Sequence, residues 1–419
     1  MCNFFFRLLH KTYLCQTNIN MDRIITKRFI QEHLNDDVIQ LGLQAKRYQD
    51  IDMAFVINQI AGLQKIKEKV PLFYQSDNIL FPKQLSVEQS SSEITAKYKS
   101  MLFHGDRFAD LSGGFGVDFY FISQNFRYGL YIERDEELCK LAAHNFEVLK
   151  IPQYEIHQTK SENYLDNMPE VDLIYIDPHR RSETGKKTVL ISDCEPDVAL
   201  LAEKMLLKSP VVMIKLSPML DIHQAIKHLP QTTEVHIVAV DNECKEVLLI
   251  LNRNNTLESD RNQHILIKTS NLHKAKSEQI FDFTFDEEKQ AEPAFTDEVG
   301  RYLYEPNAAI MKSGAFKLIA TRFNLKKFHV NTHLYTGNNL IDDFPGRIMQ
   351  VSAVYENNKT DIKKIKEKFS KANVTTRNYP ISVDDFRKKT GINDGGHDYL
   401  FALKTASGKN IIISCNKTN

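Results

Sequence analysis

Six cysteines in 419 residues form no C-x-x-C pair and keep no ligand spacing with histidine. That excludes a disulfide framework and a cysteine-based zinc site, and it points to reduced thiols in a cytoplasmic protein. Net charge is missing too: 54 Lys and Arg stand against 54 Asp and Glu. A uniformly basic nucleic-acid binder is thereby excluded, while local basic patches are not. No apolar run reaches the roughly 18 residues that a membrane-spanning helix needs. There is no internal repeat and no long low-complexity tract. Two nucleotide signatures are also incomplete. After Gly114 and Gly116 the third glycine of G-x-G-x-x-G is replaced by Phe119, and no Gly-Lys-Ser/Thr follows as in a P-loop.

What is present begins at Phe108-Ala109-Asp110-Leu111-Ser112-Gly113-Gly114-Phe115-Gly116-Val117-Asp118. It reads as a short apolar strand, an acid, a glycine-rich turn and a helix carrying Val117, Tyr120, Phe121 and Phe126. Glycine serves where the backbone must take φ > 0 or approach a ligand closely. A second apolar strand, Tyr128 to Ile132, ends in Glu133, followed by Arg134. Its distance from the turn, roughly 20 residues, is where a ribose-binding carboxylate belongs. A third buried strand, Val171 to Ile176, ends in Asp177-Pro178-His179-Arg180-Arg181.

Strand and helix alternate from 106 to 255, at 107–111, 118–124, 129–133, 136–149, 153–157, 171–177, 196–208, 210–215, 222–229, 233–240 and 246–251. Such alternation predicts a parallel α/β sheet covered on both faces. The short connection Asp241-Asn242-Glu243-Cys244 predicts a closing antiparallel hairpin. Before this region, residues 21 to 70 show helical spacing that Pro71 stops. Ser90 and Glu93 are spaced as a capping box for a helix over 94–99. After it, 262–345 reads as a small α/β domain with strands near 264–267 and 280–283 and a helix near 307–323. Residues 347–419 read β-α-β-α-β-β. Residues 1–20 are expected to be a non-native or disordered extension, with Met21 as the natural start.

Asp110, Gly114 and Gly116 resemble motif I of class I S-adenosylmethionine (SAM) methyltransferases, with Ser112 at the usual first glycine. Glu133 resembles that family's ribose-binding acid, and Asp177-Pro178 its motif IV. The whole layout, about residues 21–419, is similar to a bacterial group of class I SAM-dependent methyltransferase-like proteins. Members carry a helical N-terminus, a ferredoxin-like insert and a C-terminal THUMP-like domain. Glu88 to Glu93, Asp241 to Glu246 and Gly391 to Gly396 carry the rest of the likeness. The resemblance implies a Rossmann-like class I methyltransferase sheet, a helical N-terminal cap and two small C-terminal α/β domains. The boundaries are 21–90, 91–255, 256–345 and 346–419. It implies SAM as cofactor, held by Asp110, Ser112, Gly113, Gly114, Gly116, Asp118, Glu133, Arg134 and Asp177. It implies RNA as partner, because THUMP domains bring RNA to catalytic domains, and no metal.

The chemistry at Asp177 stays open. Amine methyltransferases follow the acid with Pro-Pro-aromatic, and here the second proline and the aromatic are absent. A pyrimidine C5 enzyme needs a cysteine nucleophile, and Cys194 lacks the Pro-Cys context. His179, Arg180 and Arg181 could fork onto a substrate phosphate or carboxylate, or close salt bridges with Glu183, Asp193 or Glu195. A Lys-Asp-Lys-Glu set for a ribose hydroxyl would draw on Lys97 or Lys99, Asp177, Lys215 and Glu246. Asp177, His179, Arg180 and Lys215 are the catalytic candidates. Methylation of a protein or small molecule, and SAM or RNA binding without turnover, are the alternatives. The helix from Lys359 is expected to bury Ile362, Ile365 and Phe369 and to leave a lysine ridge in water.

Overall fold

The computed structural model describes residues 23–180, 191, 194–254 and 264–418. The expected extension 1–20, and Arg181, Glu183 and Asp193, lie outside the described residues. The described chain divides after Asp172 into two compact units.

The first unit opens with helices. Phe29, Leu41, Met53, Val56 and Ile60 recur at helical spacing and bury together across Arg23–Glu32, Val38–Leu43 and Met53–Lys69. Asp37 and Asp52 cap the last two by accepting backbone N–H groups of Ile39 and Phe55. Pro71 does more than stop the long helix. It opens a short one, Pro71–Gln75, from the position where its missing N–H costs nothing. A second core joins Ile66, Val70, Phe73, Phe81, Val87 and Ala96 to Phe115, Val117 and Phe121. The helical cap is thus packed directly on the glycine turn and the helix after it. Two buried amides lock the connecting segment. Gln59 exchanges two hydrogen bonds with the backbone of Phe81, both 3.1 Å, and Asn145 does the same with Leu80, both 2.9 Å.

The expected capping box falls elsewhere. Ser90 ends the helix Gln84–Gln89, its hydroxyl donating to Val87 O, and Ser92 caps Glu93–Ser100 through Thr95 N. Glu93 is drawn away to accept from Leu72 N, so the box cannot close. Beyond it, β1 (Gly105–Asp110), β2 (Phe126–Glu133) and β3 (Tyr154–Gln158) pair in parallel, with Asp110 opposite Tyr131 and Glu133 opposite Gln158. Asp172 braces the start of β1, its carboxylate accepting from the amides of Asp106 and Arg107.

The second unit begins with β4 (Leu173–Ile176), and β5 (His179–Arg180) forms a two-residue ribbon with β6 (Cys194–Glu195). Next come β7 (Val211–Leu216), β8 (Thr232–Val240), β9 (Glu243–Asn252), β10 (Leu266–Leu272) and β11 (Gln279–Thr284). Their order is β11-β10-β8-β9-β7-β4. β4 and β7 are parallel, and β9 runs antiparallel to both β7 and β8, which gives the expected hairpin. Parallel β/α alternation with this closing hairpin is the Rossmann-like class.

The strands expected near 264–267 and 280–283 are β10 and β11. β10 pairs in parallel with β8 along its full length and β11 extends the same sheet. Ile267 and Phe283 are buried there like the other sheet residues.

The remaining strands, β12 (Tyr302–Pro306), β13 (Lys326–His329), β14 (Thr332–Gly337), β15 (Gly346–Glu356), β16 (Asn373–Arg377), β17 (Tyr399–Lys404) and β18 (Asn410–Lys417), make one seven-stranded sheet. Its order is β13-β14-β12-β15-β18-β17-β16. The two small C-terminal domains therefore share a continuous sheet, joined where β12 meets β15. The single helix expected near 307–323 is two, Ala308–Ser313 and Leu318–Arg322, broken at Gly314, whose φ is 82°. The tail follows the expected β-α-β-α-β-β order, with helices Lys359–Lys368 and Val383–Thr390.

An amide network stitches the sheet of the second unit to this C-terminal part. The β8–β9 turn holds Asp241 and Asn242 at φ 48° and 68°. Asn242 donates its N–H to Asn271 Oδ1 at 2.9 Å, and its Oδ1 accepts from Ala308 N at 2.8 Å. Asn271 and Asn307 both donate to Gln279 Oε1, and Gln279 donates on to Gly346 O.

Candidate active site

The glycine turn is built by its own backbone and by β2. Gly113 N donates to Ile132 O, and Gly116 N to Gly113 O. Gly114 and Gly116 sit at φ 56° and 81°, where side chains are disfavoured. A Cβ at Gly116 would stand 2.8 Å from the Phe146 ring. Asp110 is buried at the end of β1 and accepts from the amide and hydroxyl of Ser112, at 2.9 and 3.1 Å. Tyr131 donates its hydroxyl to Gly114 O at 2.6 Å. Burial pushes that phenol well above its ordinary pKa, so it remains a donor.

Glu133 closes the turn. One carboxylate oxygen accepts Gly114 N and the other Asp135 N, both at 2.9 Å. Each oxygen keeps a further lone pair. Arg134 is exposed beside it. Cys139, on the following helix, is no nucleophile: burial first, then Glu133, pushes its thiol up to about 12.

The missing third glycine finds its explanation across the sheet. Phe119 is fully buried, stacked on Phe146 with centroids 4.7 Å apart. A Cβ at Gly129 of β2 would lie 2.6 Å from the Phe119 ring and 2.8 Å from Phe108. The space glycine normally leaves on the helix is left on the strand instead. Sequence reasoning passed over Gly129, although a glycine inside an apolar strand is the signal for such an approach.

Asp118 turns away from the turn. Its Oδ2 accepts the Ser91 hydroxyl at 2.7 Å, and Lys99 Nζ stands 3.2 Å from Oδ1 and from Ser91 Oγ. The Lys99 side chain is wholly buried. Such a pair is costly to break from one side. It ties the helix of residues 93–100 to the first turn of the helix after the glycines. Lys97 pairs with Glu93 at 2.6 Å.

In the second unit, Asp177 follows β4 and Lys215 lies on the adjacent strand β7, where Ile176 is opposite Ile214. Lys215 Nζ donates to Asp177 Oδ2, and both side chains are partly buried. Glu246 is buried on β9, one step before the Val247–Leu216 pair, so all three belong to the carboxyl edge of β4 and β7. His179 is exposed and faces Glu195 across the β5–β6 ribbon, 3.9 Å apart. Arg180 pairs through its backbone with Cys194, and that cysteine is buried. The described residues hold no group of three or more metal-ligating side chains. No described helix is long and apolar enough to cross a membrane.

Residues 302–345 match a ferredoxin-like domain family, and residues 346–417 a THUMP domain-like family. A candidate methyltransferase from Porphyromonas gingivalis W83, known from its crystal structure, is 30% identical with a TM-score of 0.84. The match covers 95% of this chain and 99% of that one. An rRNA methylase from Streptococcus thermophilus is 11% identical over 39% of this chain and 98% of its own, with a TM-score of 0.30. TrmK from M. capricolum, solved with S-adenosyl-homocysteine, is 12% identical over 39% and 71%, with a TM-score of 0.29. No curated protein matches the chain.

Proposed function

Since the chain belongs to the bacterial class I SAM-dependent methyltransferase-like family that carries ferredoxin-like and THUMP-like C-terminal domains, we propose that it methylates RNA with SAM in the cytoplasm. The observation that carries the cofactor reading is the glycine turn closed on Glu133. Gly113 has no room for a side chain because the Tyr131 ring fills the space 2.3 Å away, whereas at Gly114 a Cβ would meet only Ser112 O, at 3.5 Å, so the turn is uncovered there. The residues present therefore fit the group. Glu133 would accept from the ribose hydroxyls with its remaining lone pairs. Gly113, Gly114 and Gly116 would pass beneath the methionine half. Asp110 and Ser112 would act mainly by bracing that turn, Asp118 by tying the helix after it to the helix of residues 93–100, and Arg134 would lie at its rim.

When bound, SAM supplies an electrophilic methyl group on its sulfonium. The protein must then align a nucleophile and manage its proton. Asp177 is the residue for that task, oriented by Lys215, and His179 and Arg180 are the candidates for holding the substrate. The missing aromatic after Pro178 separates this edge from the amine pattern. We take the helical cap as 21–90 and extend the catalytic domain from 91 through the end of β11. The ferredoxin-like and THUMP-like parts follow.

One incubation tests the reading. Tritiated methyl transfer from SAM is measured into total RNA, protein and metabolite fractions. Label in RNA is expected, and Asp177→Ala should abolish it while SAM affinity stays near wild type. Label in protein or metabolites only would overturn the RNA assignment. SAM binding with no label anywhere would leave a binding module.

A further inference from the structure

The seven-stranded sheet carries a charge cluster at the junction of its two halves. Glu305 on β12 lies directly opposite Arg347 on β15. Arg347 donates to Glu305 Oε2 through Nε, at 2.9 Å, and through Nη2. Arg377, the last residue of β16, donates through Nη2 to Oε1 at 2.6 Å. The Glu305 side chain is only 5% exposed, whereas Arg347 and Arg377 are 44% and 38% exposed.

One arginine would suffice to neutralise a buried carboxylate. Two leave a positive charge over, and although Arg377 Nη1 also donates to Thr376 O at 3.3 Å and its Nε is buried, each guanidinium keeps Nη hydrogens that Glu305 does not use. The two planar groups are held by a common anchor rather than waving on free side chains. That preorganisation suits an oxyanion. The field nearby is positive. His333 is held down at about 4 by burial first, then by Lys327 and Arg377. From residue 346 to the C-terminus, 14 Lys and Arg stand against seven Asp and Glu. The same stretch carries the exposed lysines of the helix Lys359–Lys368. A single anchored fork in a stretch with this excess of Lys and Arg fits a polymer of phosphates better than one free anion.

We propose that Arg347 and Arg377 form a fork for one backbone phosphate of the RNA, with Glu305 as the positioning residue that sets its geometry. This rests on the RNA reading above. The competing role is a strut that merely joins the two halves of the sheet. The test uses the full chain, labelled bulk tRNA as the probe, filter binding at 50 and 200 mM salt, and thermal melting of every variant. Arg347→Gln and Arg377→Gln should each weaken binding about threefold to tenfold at the lower salt and reduce the salt slope by about one. Glu305→Gln, which loosens the anchor but leaves both arginines, should weaken binding about threefold at the lower salt, beyond any loss that follows its melting temperature, and leave the salt slope unchanged. Arginine variants with wild-type affinity and slope would overturn the fork while leaving the RNA reading standing. So would three variants whose binding falls only in step with their melting temperatures. Absence of RNA binding by the wild type would bring down the RNA reading and the fork together.

Discussion

At the scale of single residues, the cofactor reading turns on Glu133. Its two oxygens serve backbone amides of the turn and of the next helix, so removing it both strands those donors and loses ribose contacts. Glu133→Ala should weaken SAM binding by roughly 1–3 kcal/mol in titration calorimetry. Gly114→Val should weaken it as well, because valine is strained at φ 56° whatever space surrounds it. Unchanged affinity in both variants would remove SAM from this turn. A second residue makes a statement about pH. Lys327 is 2% exposed, with its ammonium donating to Val330 O and lying near the Phe316 and Tyr335 rings. Burial pulls its pKa down to about 8; Glu288 opposes this and Lys317 adds to it. The folded state therefore binds fewer protons than the unfolded one between about pH 8 and the ordinary lysine value. The penalty is fully present below pH 8 and is relieved as pH rises through that window. Lys327→Met should gain roughly 1–3 kcal/mol at pH 7 in urea unfolding, and the gain should shrink by pH 9.5. A gain that does not change with pH would mean that Lys327 is not the group responsible.

At the scale of elements, the helix Lys359–Lys368 has the expected division. Ile362 and Ile365 are buried in the tail's core with Phe369, while Lys363, Lys366 and Lys368 are exposed. Two of the helix's lysines already have acidic neighbours, Lys364 with Asp361 at 2.8 Å and Lys363 with Glu367 at 3.8 Å. Exposed pairs of this kind are worth little. Single Lys→Ala changes on the ridge should therefore do little to RNA binding, since phosphate contacts are individually weak. Lys363, Lys366 and Lys368 changed together to Glu should abolish RNA retention on filters and leave SAM affinity intact. Wild-type affinity and salt slope in the triple variant would make the ridge an ordinary solvated face.

At the scale of the whole molecule, neutrality conceals an uneven distribution of charge. The chain balances at 54 against 54, yet the stretch from residue 346 onward is strongly basic, so the remainder is acidic on balance. Two ligands should then respond differently to salt. RNA binding should fall steeply between 50 and 200 mM salt, in proportion to the phosphates contacted. SAM binding, which rests on a turn held by backbone amides and a carboxylate, should shift by less than about twofold over the same range. Equal salt dependence of the two would argue against the basic tail as the RNA contact.

Much of this protein is determined by local pattern. Apolar periodicity and the glycine turn specify where strands and helices run through residues 105 to 252, because burial of a face is written in the spacing of the residues that form it. The acid after β2 and the Asp-Pro after β4 are legible for the same reason: each ends an apolar run. Partner choice is not written that way. Strands 266–272 and 279–284 have the same alternation whether they form a sheet of their own or extend another, and only pairing with β8 decided it. The spacing of Ser90 and Glu93 suits a capping box, but Leu72 claims Glu93 and Ser92 caps the helix instead. Gly129 acquires its meaning from Phe119, ten residues earlier and one layer away. Lys99, open in sequence to a role as a base, is bound into Asp118 and Ser91. The junction of Glu305, Arg347 and Arg377 draws on three strands up to 72 residues apart. Long-range contacts of this kind depend on register and on the volume left by neighbours, and neither can be read from a single stretch of chain.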